Sequence, residues 1–345
     1  MFIHKAHILI VLLALIPAMV KGLPESPYHL VPRRFVNELP AAAGNRIVII
    51  STRNFKPDKA YKIARGFQPK LKTFHFVAGQ TGDSVYVRPF VTLAPALDDM
   101  PGHRNFLVYV DGHGKTFDQI LERGFELSNR FNINLLIFDW PTDYIALRKT
   151  ANNADEITPV FVRTMADLDH LRRKSSDQSS ISVIFHSMGN HILKNIVEQH
   201  FQDYLPGSMF SNIIMNAAAV KQFNHTHWVR KLHIQERIYI TINDEDKTLH
   251  GAMVLRMARQ LGTGYKGDPA SKAIYVNFSE IATTEHNLFL GRSVAERNNQ
   301  QIYRFYQEAF QGNQVDLIRK AGFREIGVKL VYYAVPFESE EVNVN

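Results

Sequence analysis

The chain has 345 residues, 45% of them apolar, 11% aromatic and 21% charged. That composition excludes disorder, a collagen-like repeat or a coiled coil as the main state, and the length suffices to bury a sizeable core. There is no cysteine, which excludes disulfides, thiolate metal sites and a cysteine nucleophile; the net charge of +7 is spread along the chain without a dense basic arm, so nucleic acid is not an expected partner.

The first segment, Met1 to Gly22, reads as something other than fold. Lys5 and two histidines precede an apolar run from Ile8 to Val20, 13 residues long. A bilayer span needs about 20. A basic start, a short apolar run and a small-residue end describe a secretory signal peptide cut near Gly22, and hence a secreted or periplasmic protein. Left uncut, the same segment would hold the chain at a membrane. Leu23 to Gly44 is rich in Pro and Ala and reads as an exposed lead-in. Strand-like runs follow at Arg46–Ser51, Thr73–Ala78 and Ser84–Val91, with Gly79 to Gly82 as a hairpin turn between the last two.

From Asn105 the pattern changes. Phe106–Val110, Asn134–Phe138 and Ile181–Phe185 are short continuous apolar runs, as expected of strands buried on both faces. Between them the spacing predicts helices over Phe117–Asn129 and Thr158–Lys174, and after them a helix over His191–Phe201. Further strands are predicted at Ser211–Val220, Arg237–Ile242 and Lys272–Phe278, with helices at Leu249–Leu261 and Arg297–Phe310. Val328 to Val335 has strand character, and the tail from Phe337 is acidic. Strand and helix alternate over 105–310, which predicts an α/β domain: a mostly parallel sheet with helices on both faces. Residues 23–104 are expected to add strands to the same domain, and 311–345 to extend it.

In such sheets, sites gather at the carboxyl ends of the strands. There the sequence reads Phe185-His-Ser-Met-Gly-Asn190, between an apolar strand and a helix. A sharp strand–turn–helix connection lifts a serine hydroxyl clear of the sheet, and the helix amino end favours developing negative charge. Gly189 suits a turn in which a side chain would strike the neighbouring strand. The N–H of Met188 is then a candidate oxyanion donor. A serine here can also simply cap the helix. Two further residues in the right order favour a nucleophile. Strand Arg237–Ile242 runs into Asn243-Asp-Glu-Asp246, where Asp246, or secondly Asp244, could orient a histidine; the same acids could serve only as a helix cap. His286 follows the strand near 272–278. The loop Asp111-Gly-His-Gly114 after the first buried strand offers N–H groups near Gly112 and His113 as further oxyanion donors.

These motifs resemble the α/β-hydrolase superfamily, and within it a branch of largely uncharacterised bacterial hydrolases carrying the elbow His186-Ser-Met-Gly-Asn190. Phe138-Asp-Trp-Pro141 is similar to that branch's Trp-Pro, Asp246-Lys-Thr-Leu249 to its acid motif, and His286 with Leu288-Phe289 to its histidine motif. The resemblance spans roughly 105–292. It implies Ser187 as nucleophile, Asp246 as orienting acid and His286 as base, with no metal or cofactor and a small acyl compound as substrate. Two positions depart from it. Phe185 stands where the family usually has Gly or Ala. Asp111 stands where it often has His, and a carboxylate beside an oxyanion must face away or pair with Arg or Lys. The expected function is a serine hydrolase acting on an ester or related acyl bond; a hydrolase-fold binding protein without turnover is the alternative. His225-x-His227 is read as structural, because no third ligand lies nearby.

Overall fold

The continuous apolar runs form the middle of one large sheet. In this computed structural model, residues 33–56, 62–63, 72–100, 104–142, 147–174, 179–292, 294, 296–319, 321–325 and 331–334 are described. The expected signal segment and the acidic tail lie outside them. The strands are β1 (Arg33–Phe35), β2 (Arg46–Ser51), β3 (Phe55–Lys56), β4 (Lys62–Ile63), β5 (Phe74–Thr81), β6 (Ser84–Phe90), β7 (Phe106–Val110), β8 (Asn134–Asp139), β9 (Ile181–His186), β10 (Phe210–Asn216), β11 (Gln235–Ile242), β12 (Ala273–Asn277), β13 (Phe323–Glu325) and β14 (Val331–Ala334). The helices are α1 (Leu93–Asp98), α2 (Phe117–Phe131), α3 (Leu147–Lys174), α4 (Asn190–Glu198), α5 (His225–Val229), α6 (Lys247–Arg256), α7 (Ser279–Ala282) and α8 (Glu296–Phe310).

Twelve strands pair in the order β1-β6-β5-β2-β8-β7-β9-β10-β11-β12-β14-β13, while β3 and β4 form a separate pair. The β2–β5, β5–β6 and β13–β14 pairs are antiparallel, and the other pairs of the large sheet are parallel. Alternate residues feed two cores, as the period of two in a strand requires. Val108, Val183 and Phe185 pack on one face with Phe161 of α3 and Ile192 of α4. Leu107, Ile184 and Tyr239 pack on the other with Phe125 of α2 and Phe305 of α8. Both faces are therefore dry, which is why these strands carry no polar alternation.

Chain order steps from β7 to β8 on one side and from β8 back across β7 to β9 on the other. The loops after β7 and β9 thus meet where the direction of winding reverses, the place where open α/β sheets bind ligands.

Several sequence expectations are corrected here. The lead-in contains β1, which pairs in parallel with β6. Helix α3 begins at Leu147 rather than Thr158; Pro159 lies inside it, where proline ordinarily marks a helix start. Strand β10 ends at Asn216 rather than Val220, and His225-x-His227 lies beyond it on α5. Gly79 sits within β5, and the hairpin turn falls at Gly82, whose φ is +53°. Among the described residues no helix is long and apolar enough to cross a membrane.

Candidate active site

Strand β9 ends at His186 and the chain turns sharply at Ser187, whose φ of +51° lies in the left-handed region. For a non-glycine residue that conformation costs of order 1–3 kcal/mol and persists only when its surroundings impose it. Here they do. The Asn190 side-chain amide donates to the carbonyls of Phe185 at 2.7 Å and Ser187 at 3.1 Å. The N–H of Ala219 donates to the Ser187 carbonyl at 3.1 Å. A Cβ on Gly189 would lie 2.7 Å from the Val110 carbonyl oxygen and 2.9 Å from that of Asp111, so only glycine lets the elbow nest against the end of β7. Phe185, the bulky residue two before the serine, points away from the turn into the core, where its ring tilts against Phe161 at 5.5 Å.

The acid and the histidine come from the two next parallel strands. Asp246 follows β11 and is fully buried. One carboxylate oxygen accepts the Leu249 N–H at 3.0 Å, capping α6; the other accepts from His286 Nδ1 at 2.6 Å. The capping and histidine-orienting roles are therefore filled together by one carboxylate. A carboxylate only accepts, so the bond places a proton on Nδ1 and leaves Nε2 outside it. Asp244 is exposed and touches Ser279 and His250 through its backbone, which leaves Asp246 as the acid beside His286. The His286 ring packs on the ring of His186, the residue before Ser187, at 4.7 Å between centroids.

The loop after β7 lies directly over the serine. A Cβ on Gly112 would fall 2.6 Å from Ser187 Cβ and 3.1 Å from both Ser187 Oγ and the Met188 nitrogen. The Gly112 N–H, one of the expected oxyanion donors, is engaged here, donating to its neighbour, Asp111 Oδ1, at 2.6 Å. Gly112 contributes closeness instead. Met188 and His113 remain the donor candidates, and the His113 ring is held by Thr150 Oγ1 at 2.7 Å from Nδ1. Asp111 is buried but does not stand as a bare charge. Both its oxygens lie 3.2 Å from Arg123 Nη1, and Arg123 also donates to the Tyr109 hydroxyl at 3.1 Å. Burial alone would lower the Arg123 pKa, but Asp111 and Tyr109 outweigh it and raise it above the ordinary arginine value.

Residues 96–293 match the model of a family described as "Alpha/beta hydrolase of unknown function (DUF900)". The chain belongs to that family. It is also similar to a Pyrobaculum calidifontis esterase in its monoclinic form, at 10% identity over 77% of this chain and 85% of that one, with a TM-score of 0.38. A predicted CIB-like hydrolase from Thermoplasma acidophilum is similar at 11% identity over 68% of this chain and 92% of that one, with a TM-score of 0.32. No curated protein matches the chain.

Three groups in this α/β hydrolase have roles that the sequence left unassigned. Asn243 is buried, and its amide donates to the carbonyls of Thr283 at 3.0 Å and Glu285 at 2.9 Å, tying the acid loop to the histidine loop. Its position at the head of the acidic turn after β11 was the only available signal. His186 is buried, with Asn216 Nδ2 donating to its Nδ1 at 2.8 Å, and Asn216 in turn accepts from the Tyr306 hydroxyl. Burial pushes its pKa well below the ordinary imidazole value, and the nearby His286, Arg123 and Lys115 push the same way, so His186 is neutral. Arg53, just beyond β2, donates to buried Asp139 at 2.9 Å and to the Lys115 carbonyl at 2.8 Å, bracing the loop over Ser187 from behind. The Trp-Pro motif has a visible purpose in the same brace, since Trp140 Nε1 donates to the Asp111 carbonyl at 2.9 Å. The His225 ring is satisfied by the Tyr275 hydroxyl at 2.6 Å and the Gln222 carbonyl at 2.8 Å. Among the described residues no group of three or more His, Asp or Glu side chains could hold a metal ion.

Proposed function

We propose that this hydrolase is a serine esterase acting on a carboxylic ester or related acyl bond. The observation that carries the reading is the His286–Asp246 pair, 2.6 Å apart, packed against the residue preceding a serine held at positive φ. In this reading Ser187 Oγ attacks the acyl carbon and gives its proton to His286 Nε2. Asp246 holds the imidazole in its Nδ1–H form and offsets the charge of the imidazolium. N–H groups at Met188 and the His113 loop receive the oxyanion. As the tetrahedral adduct collapses, the carbon–oxygen bond to the alcohol breaks and the alcohol takes the proton from His286. Water, deprotonated by the same nitrogen, then attacks the acyl-enzyme and frees Ser187. Export through Met1–Gly22 belongs to the same proposal, and the intact mass of the exported protein tests it.

One observation favours a second reading, an acyl-binding protein without turnover: the Gly112 N–H is already engaged by Asp111. A fluorophosphonate probe decides between them. For an esterase, the purified protein is labelled, and Ser187→Ala and His286→Ala are not. A folded wild-type protein that takes no label overturns the esterase reading in favour of the second.

A further inference from the structure

Helix α6 starts at the acid of the site and ends beside the nucleophile. Leu249 faces inward, in a small apolar cluster with Met188, Ala217 and Ala219. Arg256, seven residues on and therefore on the same face, places Nη1 3.5 Å from Met188 Sδ and 2.9 Å from the Ala219 carbonyl. The outer face is polar in its first turn, where Lys247, Thr248 and His250 are exposed, but its last turn lacks the polar residues that an exposed helix face ordinarily has. It carries Val254 at 55% and Leu255 at 61% exposure, and the next residue after the helix, Met257, is 93% exposed. Phe223, 75% exposed, lies next to this end of the helix, because Gln222 N donates to the Arg259 carbonyl at 2.9 Å and Lys221 bridges Gln260. Four large apolar side chains thus stand in water at one rim of the candidate site, where exposed apolar residues ordinarily occur singly.

The same rim carries exposed cations: Lys221 and Arg259 stand there. Among the described residues neither of them is paired with a carboxylate. The exposed acids of the preceding loop, Asp244 and Glu245, sit before the other end of α6, about 15 Å away along the helix. A second copy of the chain is a poor occupant, since a two-fold contact would set these cations against one another.

We propose that this rim docks on an anionic lipid surface. The apolar side chains enter the acyl boundary while the cations meet the headgroups. A helix is about 10 Å across, so docking on the outer face of α6 would hold Met188, and Ser187 beside it, within about one helix width of the membrane. The proposal rests on the esterase reading only for what the docked site would act upon.

Vesicle co-sedimentation of the full chain tests it, using phosphatidylcholine alone and phosphatidylcholine with about one-third phosphatidylglycerol. The expected result is partition onto the anionic vesicles only, weakened at about 0.5 M salt. Phe223→Ser combined with Met257→Ser should cut that partition at least tenfold, by an estimate of about one decade from the apolar area withheld. Lys221→Gln combined with Arg259→Gln should cut it by about the same. All four side chains are exposed, so soluble-probe labelling of Ser187 should stay at the wild-type rate in both double variants. That readout separates a failure of docking from a failure of the esterase reading. Wild-type protein that binds neither vesicle overturns the proposal, as do variants that partition like wild type. Self-association that disappears in Phe223→Ser would assign the rim to a second copy instead.

Discussion

Two of the buried aspartates at the carboxyl edge of the sheet are set apart by their partners. Asp111, after β7, faces the Arg123 guanidinium; Asp246, after β11, faces the His286 imidazole. The first has as its partner a guanidinium, which does not give up its proton at ordinary pH. The second has a partner that can take up and release a proton. One residue type in two loops of the same site thus serves as scaffold in one and, in the proposed reaction, as an orienting acid in the other. Burial does not distinguish them, since both are under 4% exposed.

The comparison breaks most sharply at Asp246. Asp246→Asn keeps an oxygen to cap α6 but lets His286 adopt the wrong tautomer, so probe labelling should fall by about 10³–10⁴-fold while the melting temperature changes little. A drop below tenfold would show that His286 needs no orienting acid. Arg123→Met should act on the fold instead. It leaves the Asp111 carboxylate buried without its cation, a loss of about 3–5 kcal/mol in urea unfolding; a loss under 1 kcal/mol would mean that Asp111 finds water.

His186 sharpens the contrast through pH. Its imidazole is neutral in the fold and titrates near 6.5 once unfolded, so the unfolded chain binds the extra proton. The stability it contributes is complete above pH 6.5 and is lost as pH falls below that value. Burial and the neighbouring Arg256 drive His191 the same way, to about 3, so part of the acid slope belongs to it. His186→Gln, which can still accept from Asn216, should flatten the slope of stability below pH 6.5 by up to about 1.4 kcal/mol per pH unit. An unchanged slope would place the burden on His191. The smallest expected effect is at Asp244, where Asp244→Asn should leave labelling within about twofold, as an exposed side chain away from His286 requires.

What the sequence made legible follows from range. Phe106–Val110 and Ile181–Phe185 were readable because burial on both faces leaves an unbroken apolar run, a local mark. Ser187, Asp246 and His286 were readable as candidates because each follows a strand, so the fold alone carries them to one edge. Arg53 was not, since its partner Asp139 lies 86 positions away and no local pattern marks the pair. Asn243 was hidden for a related reason: its amide serves backbone carbonyls 40 and 42 residues on, and carbonyls leave no trace in sequence. The first eleven residues of α3 were masked by Pro159, which imitates a helix start from inside a helix.

The Arg53 brace also bears on modularity. The family match begins at residue 96, yet β2 pairs with β8 from Leu135 to Asp139, and Arg53 just beyond it supplies the cation that faces Asp139. A piece cut at the homology boundary would lose that cation and bare the apolar edge of β8, an open template for pairing with other chains. The unit that is inherited and the unit that can stand alone therefore differ, and autonomy here begins no later than β2.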